Sequence, residues 1–265
     1  MLRVPLVLGT FVTMTPVLVA VQWLLGRLGL PGRQAIALNY YRFLRRLLGL
    51  RIRVVGEKPP GPALIVSNHV SWCDIVVIGS LAPVAFVAKR EVADWPLVGA
   101  TARMQRTVFV DRDRRTQAAA ANVQIAERLR DGIPVVLFAE GTSSDGNRVL
   151  PFRSALLGAV REALAQLDGQ QSIAVQPLSI GYTRVQGIPM GRQHRPLAAW
   201  YGALDFVPHL KEFIRRGAFD VVVSWGTPLA YSGATDRKAL MRMLEADVRS
   251  LTVAALRERP LVPPI

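Results

Sequence analysis

The sequence predicts an α/β fold, a mixed and largely parallel sheet flanked by helices, with an N-terminal membrane-associated helical segment. Three observations predict it. Short apolar runs recur along the chain, helical stretches separate several of them, and residues 4–25 carry no charge. A length of 265 residues suits one such domain with an appendage, because single domains of roughly 200 to 250 residues are common. The expected division is an N-terminal membrane-associated segment over 1–50, a main domain over 51–258 and a Pro-rich tail over 259–265.

The first segment places 22 uncharged residues between Arg3 and Gly26, and about 20 apolar residues cross a bilayer. Pro16 and Gly9 interrupt it, so a bent helix in one leaflet stands beside a full span. The apolar region is too long for a signal peptide and lacks a good small-residue cleavage site. Arginines flank it on both sides, at Arg3 and at Arg27 and Arg33, so charge bias sets no orientation. Over Gln34–Leu50, Ile36, Tyr40, Phe43, Leu44, Leu47 and Leu48 recur at helical spacing, with Arg42, Arg45 and Arg46 on another side. Periodicity alone leaves open whether that stripe meets lipid or core.

Strands are expected at Ala63–Val66, Val84–Ala88, Val108–Val110, Val135–Phe138, Ile173–Ile180 and Phe219–Val223. Between them, helices are expected over Thr116–Arg130, closed by Asp131-Gly132, and over Ser154–Leu167, closed by Gly169. The last helix should run from Arg237 to about Arg257 and bury Leu240, Leu244, Val248 and Leu251. Alternating strands and helices are what a sheet covered by helices requires.

Composition narrows the function. The net charge of +14 rests on arginine, lysine standing only at 58, 89, 211 and 238. Such a surface suits phosphate or anionic lipid. No zinc-finger spacing, RNP-like aromatic motif or basic heptad region is present, so no nucleic acid is expected as partner. A mean hydropathy of +0.26 points to lipid contact instead. Cys73 is the only cysteine, which rules out an intrachain disulfide and favours a reducing compartment. Histidines stand only at 69, 194 and 209, without a neighbouring Cys or carboxylate cluster, so no metal is expected.

The chemistry gathers at Asn68-His69-Val70-Ser71-Trp72-Cys73-Asp74, directly after the Ala63–Val66 strand. Open α/β sheets place their sites at the carboxyl ends of strands. Residues five apart lie about 140° round a helix, so His69 is expected in a loop or first turn, folded back toward a helical Asp74. The carboxylate then holds one imidazole nitrogen protonated and leaves the other to take a proton from an alcohol.

Three further segments follow in order: Thr107-Val108-Phe109-Val110-Asp111-Arg112, Phe138-Ala139-Glu140-Gly141-Thr142-Ser143, and Gln176-Pro177-Leu178-Ser179-Ile180. Lys89-Arg90-Glu91 and Trp95-Pro96-Leu97-Val98-Gly99 lie between Asp74 and Thr107. Together these motifs resemble those of the glycerolipid acyltransferases related to 1-acylglycerol-3-phosphate acyltransferase, over roughly Arg51–Trp225. The resemblance implies that His69 is the base, that Asp74 orients it, and that Glu140, Gly141 and Thr142 help hold the acceptor. Lys89 and Arg112 resemble positions that supply positive charge for a phosphate. Asn68 and Ser143 complete the candidate substrate-binding set. No cofactor is implied beyond the thioester of acyl carrier protein or coenzyme A, the donor that serves as co-substrate.

The chain departs from the pattern in places. Members that use lysophosphatidate commonly have Pro before Glu-Gly-Thr and Arg after it, where this chain has Ala139 and Ser143. Losing that arginine removes a bidentate phosphate clamp that serine cannot replace. Arg148 and Arg153 are candidates for the missing charge. The run from Glu140 to Phe152 looks more like relatives that acylate lyso-ornithine lipid. Arg106 stands where a glycine is usual.

The expected function is therefore O-acyl transfer from carrier to a lysolipid hydroxyl, lysophosphatidate or lyso-ornithine lipid, at a lipid membrane. The inner, cytoplasmic membrane is the expected location, with the catalytic domain facing the cytoplasm. Two alternatives stay open: an acyl-enzyme on Cys73, and a non-catalytic peripheral membrane-binding protein. Because the motifs begin only at Asn68, the N-terminal segment is expected to serve membrane retention more than the catalytic site.

Overall fold

Nine strands form one sheet in the computed structural model, which describes residues 2–110, 115–153 and 172–257. Seven of them stand in the order β1-β8-β6-β2-β5-β3-β4. These are β1 (Leu50–Val55), β2 (Ala63–Ser67), β3 (Ala85–Lys89), β4 (Val108–Val110), β5 (Val135–Phe138), β6 (Ser172–Val185) and β8 (Phe219–Trp225). The short β7 (Ile188–Pro189) and β9 (Leu229–Ser232) pair with β6 in antiparallel fashion. From β6 to β4 every pairing is parallel, while β8 runs antiparallel to β6 and parallel to β1.

Strand β2 lies between β5 and β6 and is buried at every residue. That burial explains its unbroken apolar run: a strand covered on both faces has no solvent side to give to polar residues. Its side chains alternate between two cores. Ile65 joins Phe86, Val136, Leu178 and Ile180 on one face, whereas Leu64 and Val66 join Val135, Leu137 and Val175 on the other. The second face is covered by α5 (Arg115–Arg130) and by α7 (Arg237–Leu256), the latter through Leu240, Met241 and Leu244.

The first face receives α2 (Arg33–Leu48), α3 (Cys73–Gly79) and α6 (Phe206–Arg216). Helix α2 buries Tyr40, Tyr41, Leu44 and Leu48, so much of its apolar stripe meets core. It ends two residues before the expected Leu50, because Gly49 turns at φ 75° and releases the chain into β1.

Helix α1 (Arg3–Arg27) runs unbroken through Pro16 and is tied down along its length. Arg3 Nη2 donates to Leu48 O at 3.1 Å, Thr15 Oγ1 and Tyr40 OH share a hydrogen bond at 2.6 Å, and Gln22 Nε2 donates to Arg33 O and Met104 O, each at 3.0 Å. Its outer face exposes Leu6, Val12, Val17, Val21, Trp23 and Leu24. The helix is long and apolar enough to cross a membrane, with a mean hydropathy of 2.1 over its most apolar stretch. The remaining helix, α4 (Val98–Met104), follows a 3₁₀ turn at Arg90–Asp94. The helix expected over Ser154–Leu167, Arg112 and the 259–265 tail lie outside the described residues.

Candidate active site

The chain leaves β2 at Ser67 and enters α3 at Cys73, and this crossing builds the site. Asn68 is buried and pins the strand end to β6: its Nδ2 donates to Ile180 O at 2.9 Å and its Oδ1 accepts from Ile180 N at 2.8 Å. Asp74 sits in the first turn of α3 with no exposed surface. The 69–72 loop wraps round its carboxylate. Oδ2 accepts from Val70 N at 2.7 Å, from Ser71 N at 3.0 Å and from His69 Nδ1 at 2.8 Å. Oδ1 accepts from Tyr182 OH at 2.8 Å.

Four donors thus converge on one buried carboxylate, which stabilises its charge without contact with water. Because an ionised carboxylate only accepts, His69 carries its proton on Nδ1 and keeps the Nε2 lone pair. The imidazole stacks on Phe138 with ring centroids 4.0 Å apart and planes 19° from parallel, so its orientation is fixed both at the edge and on the face. With its side chain one-fifth exposed, His69 reaches a cavity of about 610 Å³.

That cavity is mostly apolar. Val7, Leu8 and Phe11 of α1, Leu44 and Leu47 of α2, and Ile75 of α3 line it, beside an aromatic wall of Trp72, Trp95, Trp200 and Phe206. The N-terminal segment, expected to serve retention, therefore also walls the space that His69 faces. Lys89, Gly141, Thr142 and Ser143 line the same cavity.

Glu140 and Asn68 are not among the residues that line it. Glu140 is buried behind His69, and its Oε1 accepts from His69 N at 3.2 Å. Burial pushes its carboxyl up to about 8. Gly141 turns at φ 72°, a conformation costly for other residues. Ser143 directs its hydroxyl to the Trp200 carbonyl, and Trp200 N donates to Val70 O at 3.0 Å.

Arg106, the residue in the usual glycine position, holds φ 57°. The site demands left-handed backbone, and a non-glycine residue pays roughly 1–2 kcal/mol for it. Its guanidinium pairs with Asp131 at 2.6 Å, away from the residues that line the cavity. Cys73 is fully buried, and burial raises its thiol well above the ordinary value. It does not line the cavity. Among the described residues, no group of three or more His, Cys, Asp or Glu side chains is placed to hold a metal ion.

Sequence reasoning quoted Trp72 and Trp95 within motifs without giving them a role, and it did not single out Tyr182, Trp200 or Phe206. For Tyr182 a signal existed: Leu178, Ile180 and Tyr182 keep the two-residue period of β6 beyond the expected end at Ile180. Trp95, Trp200 and Phe206 share no local pattern, and only the tertiary fold brings them together.

A family model described as Acyltransferase matches residues 51–181. The lyso-ornithine lipid O-acyltransferase of Brucella abortus (strain 2308) is 46% identical over 98% of this chain and 97% of its own length. Its namesake from Rhizobium meliloti (strain 1021) is 43% identical over 97% of this chain and 88% of its own. The crystal structure of the 1-acyl-sn-glycerophosphate acyltransferase PlsC from Thermotoga maritima superposes with a TM-score of 0.65, covering 98% of this chain and 96% of that one at 20% identity, which shows a shared fold. With the ordered motifs, the hydrogen-bonded His69–Asp74 pair and relatives matched over nearly their whole length, the chain belongs to the acyltransferase family.

Proposed function

We propose that this acyltransferase moves a fatty acyl group from the thioester of acyl carrier protein or coenzyme A to the hydroxyl of lyso-ornithine lipid. The observation that carries the reading is the His69–Asp74 pair opening on an apolar cavity. His69 Nε2 takes the proton of the acceptor hydroxyl while that oxygen attacks the thioester carbonyl carbon. Asp74 stabilises the imidazolium so formed. As the tetrahedral intermediate collapses, the carbon–sulfur bond breaks and the departing thiolate takes the proton back from Nε2. Donor and acceptor suffice, and no metal or cofactor enters a step. A positioned base of this kind contributes about 10² to 10⁴ in rate.

Direct attack fits the burial of Cys73, whose thiol is away from the cavity and held in its protonated form. Asn68 and Glu140 act by holding the His69 loop, while Lys89, Thr142 and Gly141 face the substrates. Acceptor choice is supported by the names of the two near-full-length relatives and by Ser143 in place of a phosphate-pairing arginine. The outward apolar face of α1, with arginines at both ends, supports seating in a membrane leaflet, which this reading takes to be the cytoplasmic leaflet of the inner membrane. In that seating the catalytic domain faces the cytoplasm.

A panel with one labelled acyl donor, offered lyso-ornithine lipid, lysophosphatidate and other lysophospholipids, tests the acceptor. Lyso-ornithine lipid should give the highest kcat/KM. Preference for lysophosphatidate, a reading that Lys89 on the cavity wall would favour, would overturn the acceptor assignment and leave the acyl transfer standing.

A further inference from the structure

Among the described residues, the cavity of this strongly basic protein is lined by few charges. They are one cation, Lys89, and one anion, Glu91. A phosphate monoester asks for an excess of positive charge, whereas one cation and one anion match a zwitterion. The wall beside them is aromatic. Trp95, Trp200 and Phe206 touch pairwise, with ring centroids 5.9 Å apart for Trp95–Trp200, 5.3 Å for Trp95–Phe206 and 5.7 Å for Trp200–Phe206. Glu91 and Trp95 lie on the same short stretch, at the 3₁₀ turn that follows β3.

Trp200 lies outside regular structure and is held by three hydrogen bonds. Its N–H reaches Val70 O, one residue after the base, and its carbonyl accepts from Ser143. Its indole N–H is occupied by Leu204 O at 2.8 Å. Both ends of the backbone unit and the polar edge of the ring are thereby engaged, and Trp200 still lines the cavity. Ser143 is the residue that replaces the expected arginine, so where lysophosphatidate users carry a guanidinium this chain carries an anchor for a tryptophan.

We propose that Trp200 and Trp95, with Glu91, form the subsite for the ammonium of the acceptor's amino-acid head, and that Ser143 is a positioning residue for Trp200. The inference rests on the acceptor reading above. A tryptophan face attracts a cation through its ring quadrupole, more strongly than phenylalanine does. Lys89, which lines the same cavity, is the cation for the carboxylate of the head. The class of ligand is an amphiphile bearing a primary ammonium and a carboxylate close together.

The test compares two acceptors on the full-length enzyme in mixed micelles: lyso-ornithine lipid, and the same lipid with its side-chain amine acetylated. The wild-type ratio of kcat/KM, parent over acetylated, should be about tenfold and lie mainly in KM. Trp200→Leu should bring that ratio close to one, Trp200→Phe should retain part of it, and Ser143→Ala should lower it without changing the pH profile of kcat. A wild-type enzyme that uses both lipids equally would overturn the subsite and leave the acceptor assignment intact. So would a Trp200→Leu enzyme, folded by circular dichroism, that keeps the tenfold ratio. A wild-type enzyme that acylates lysophosphatidate but neither ornithine lipid would overturn the acceptor assignment and this subsite together.

Discussion

The His69 end of the cavity and the wall that faces it are built from different interactions. At the His69 end, short polar contacts fix every group: Asp74 receives four hydrogen bonds, Asn68 exchanges two with Ile180, and Glu140 accepts from the His69 backbone. Along the wall, apolar side chains from α1, α2, α3 and α6 dominate, and the hydrogen bonds of Trp72 and Trp200 go to protein groups behind them. A buried polar network has one geometry in which all members are satisfied, so a change in any member is felt at the base. An apolar wall tolerates substitution in small steps, each worth about the area it removes. Under the proposed function, one region should set whether transfer occurs and the other which lipids fit.

The largest break should come from Asp74→Asn, which replaces an acceptor of four donors with an amide that must present N–H to some of them. The wrong imidazole tautomer is then favoured, and kcat should fall by about 10² to 10⁴. A variant that folds and keeps kcat within a few-fold would separate Asp74 from the chemistry.

Glu140 offers a second test through pH. Its carboxyl is held near 8 in the folded protein against an ordinary 4.5. Between those values the folded state keeps a proton that the unfolded chain has shed. Its contribution to stability is therefore complete below about 4.5 and is lost as pH rises to about 8. Glu140→Gln mimics the neutral acid, so the stability of the variant relative to wild type should improve by roughly 1–3 kcal/mol from pH 5 to pH 7.5. A constant difference across that range, measured by denaturant unfolding, would remove the buried neutral acid from the account.

On the wall, Phe11→Ala in α1 should lower kcat/KM for long acyl chains by about tenfold while short chains lose little, since only chains that reach α1 lose the contact. Equal losses at all lengths would mean that α1 supports the fold and not the lipid. The smallest effect belongs to Cys73→Ser, which should keep kcat within a few-fold. An acyl thioester isolated on Cys73 would contradict direct attack.

The same contrast decides how much could be read in advance. The catalytic end was legible because its residue types are dictated by chemistry and lie within a few positions of one another, as His69 and Asp74 do. The expected fold-back of His69 onto a helical Asp74 is what the structure shows. The central strands were legible because burial on both faces forces an apolar run. Strand β1 was not: it lies at the sheet edge, where Arg51 and Arg53 can point to solvent and hide the pattern. The wall was illegible for a different reason, since Phe11, Trp95 and Trp200 are far apart in sequence and carry no spacing rule. Glu140 and Ser143 show the limit within a motif. Position in the motif marked them as site residues, yet only their partners, His69 N and Trp200 O, distinguish holding a loop from touching a lipid.

The central claim is that His69 takes the proton of the acceptor hydroxyl. Its most direct test is transfer from a labelled acyl thioester by His69→Ala, in enzyme whose folding and membrane binding match wild type. Turnover should fall by about 10² to 10⁴. Near-normal turnover in that variant would contradict the account.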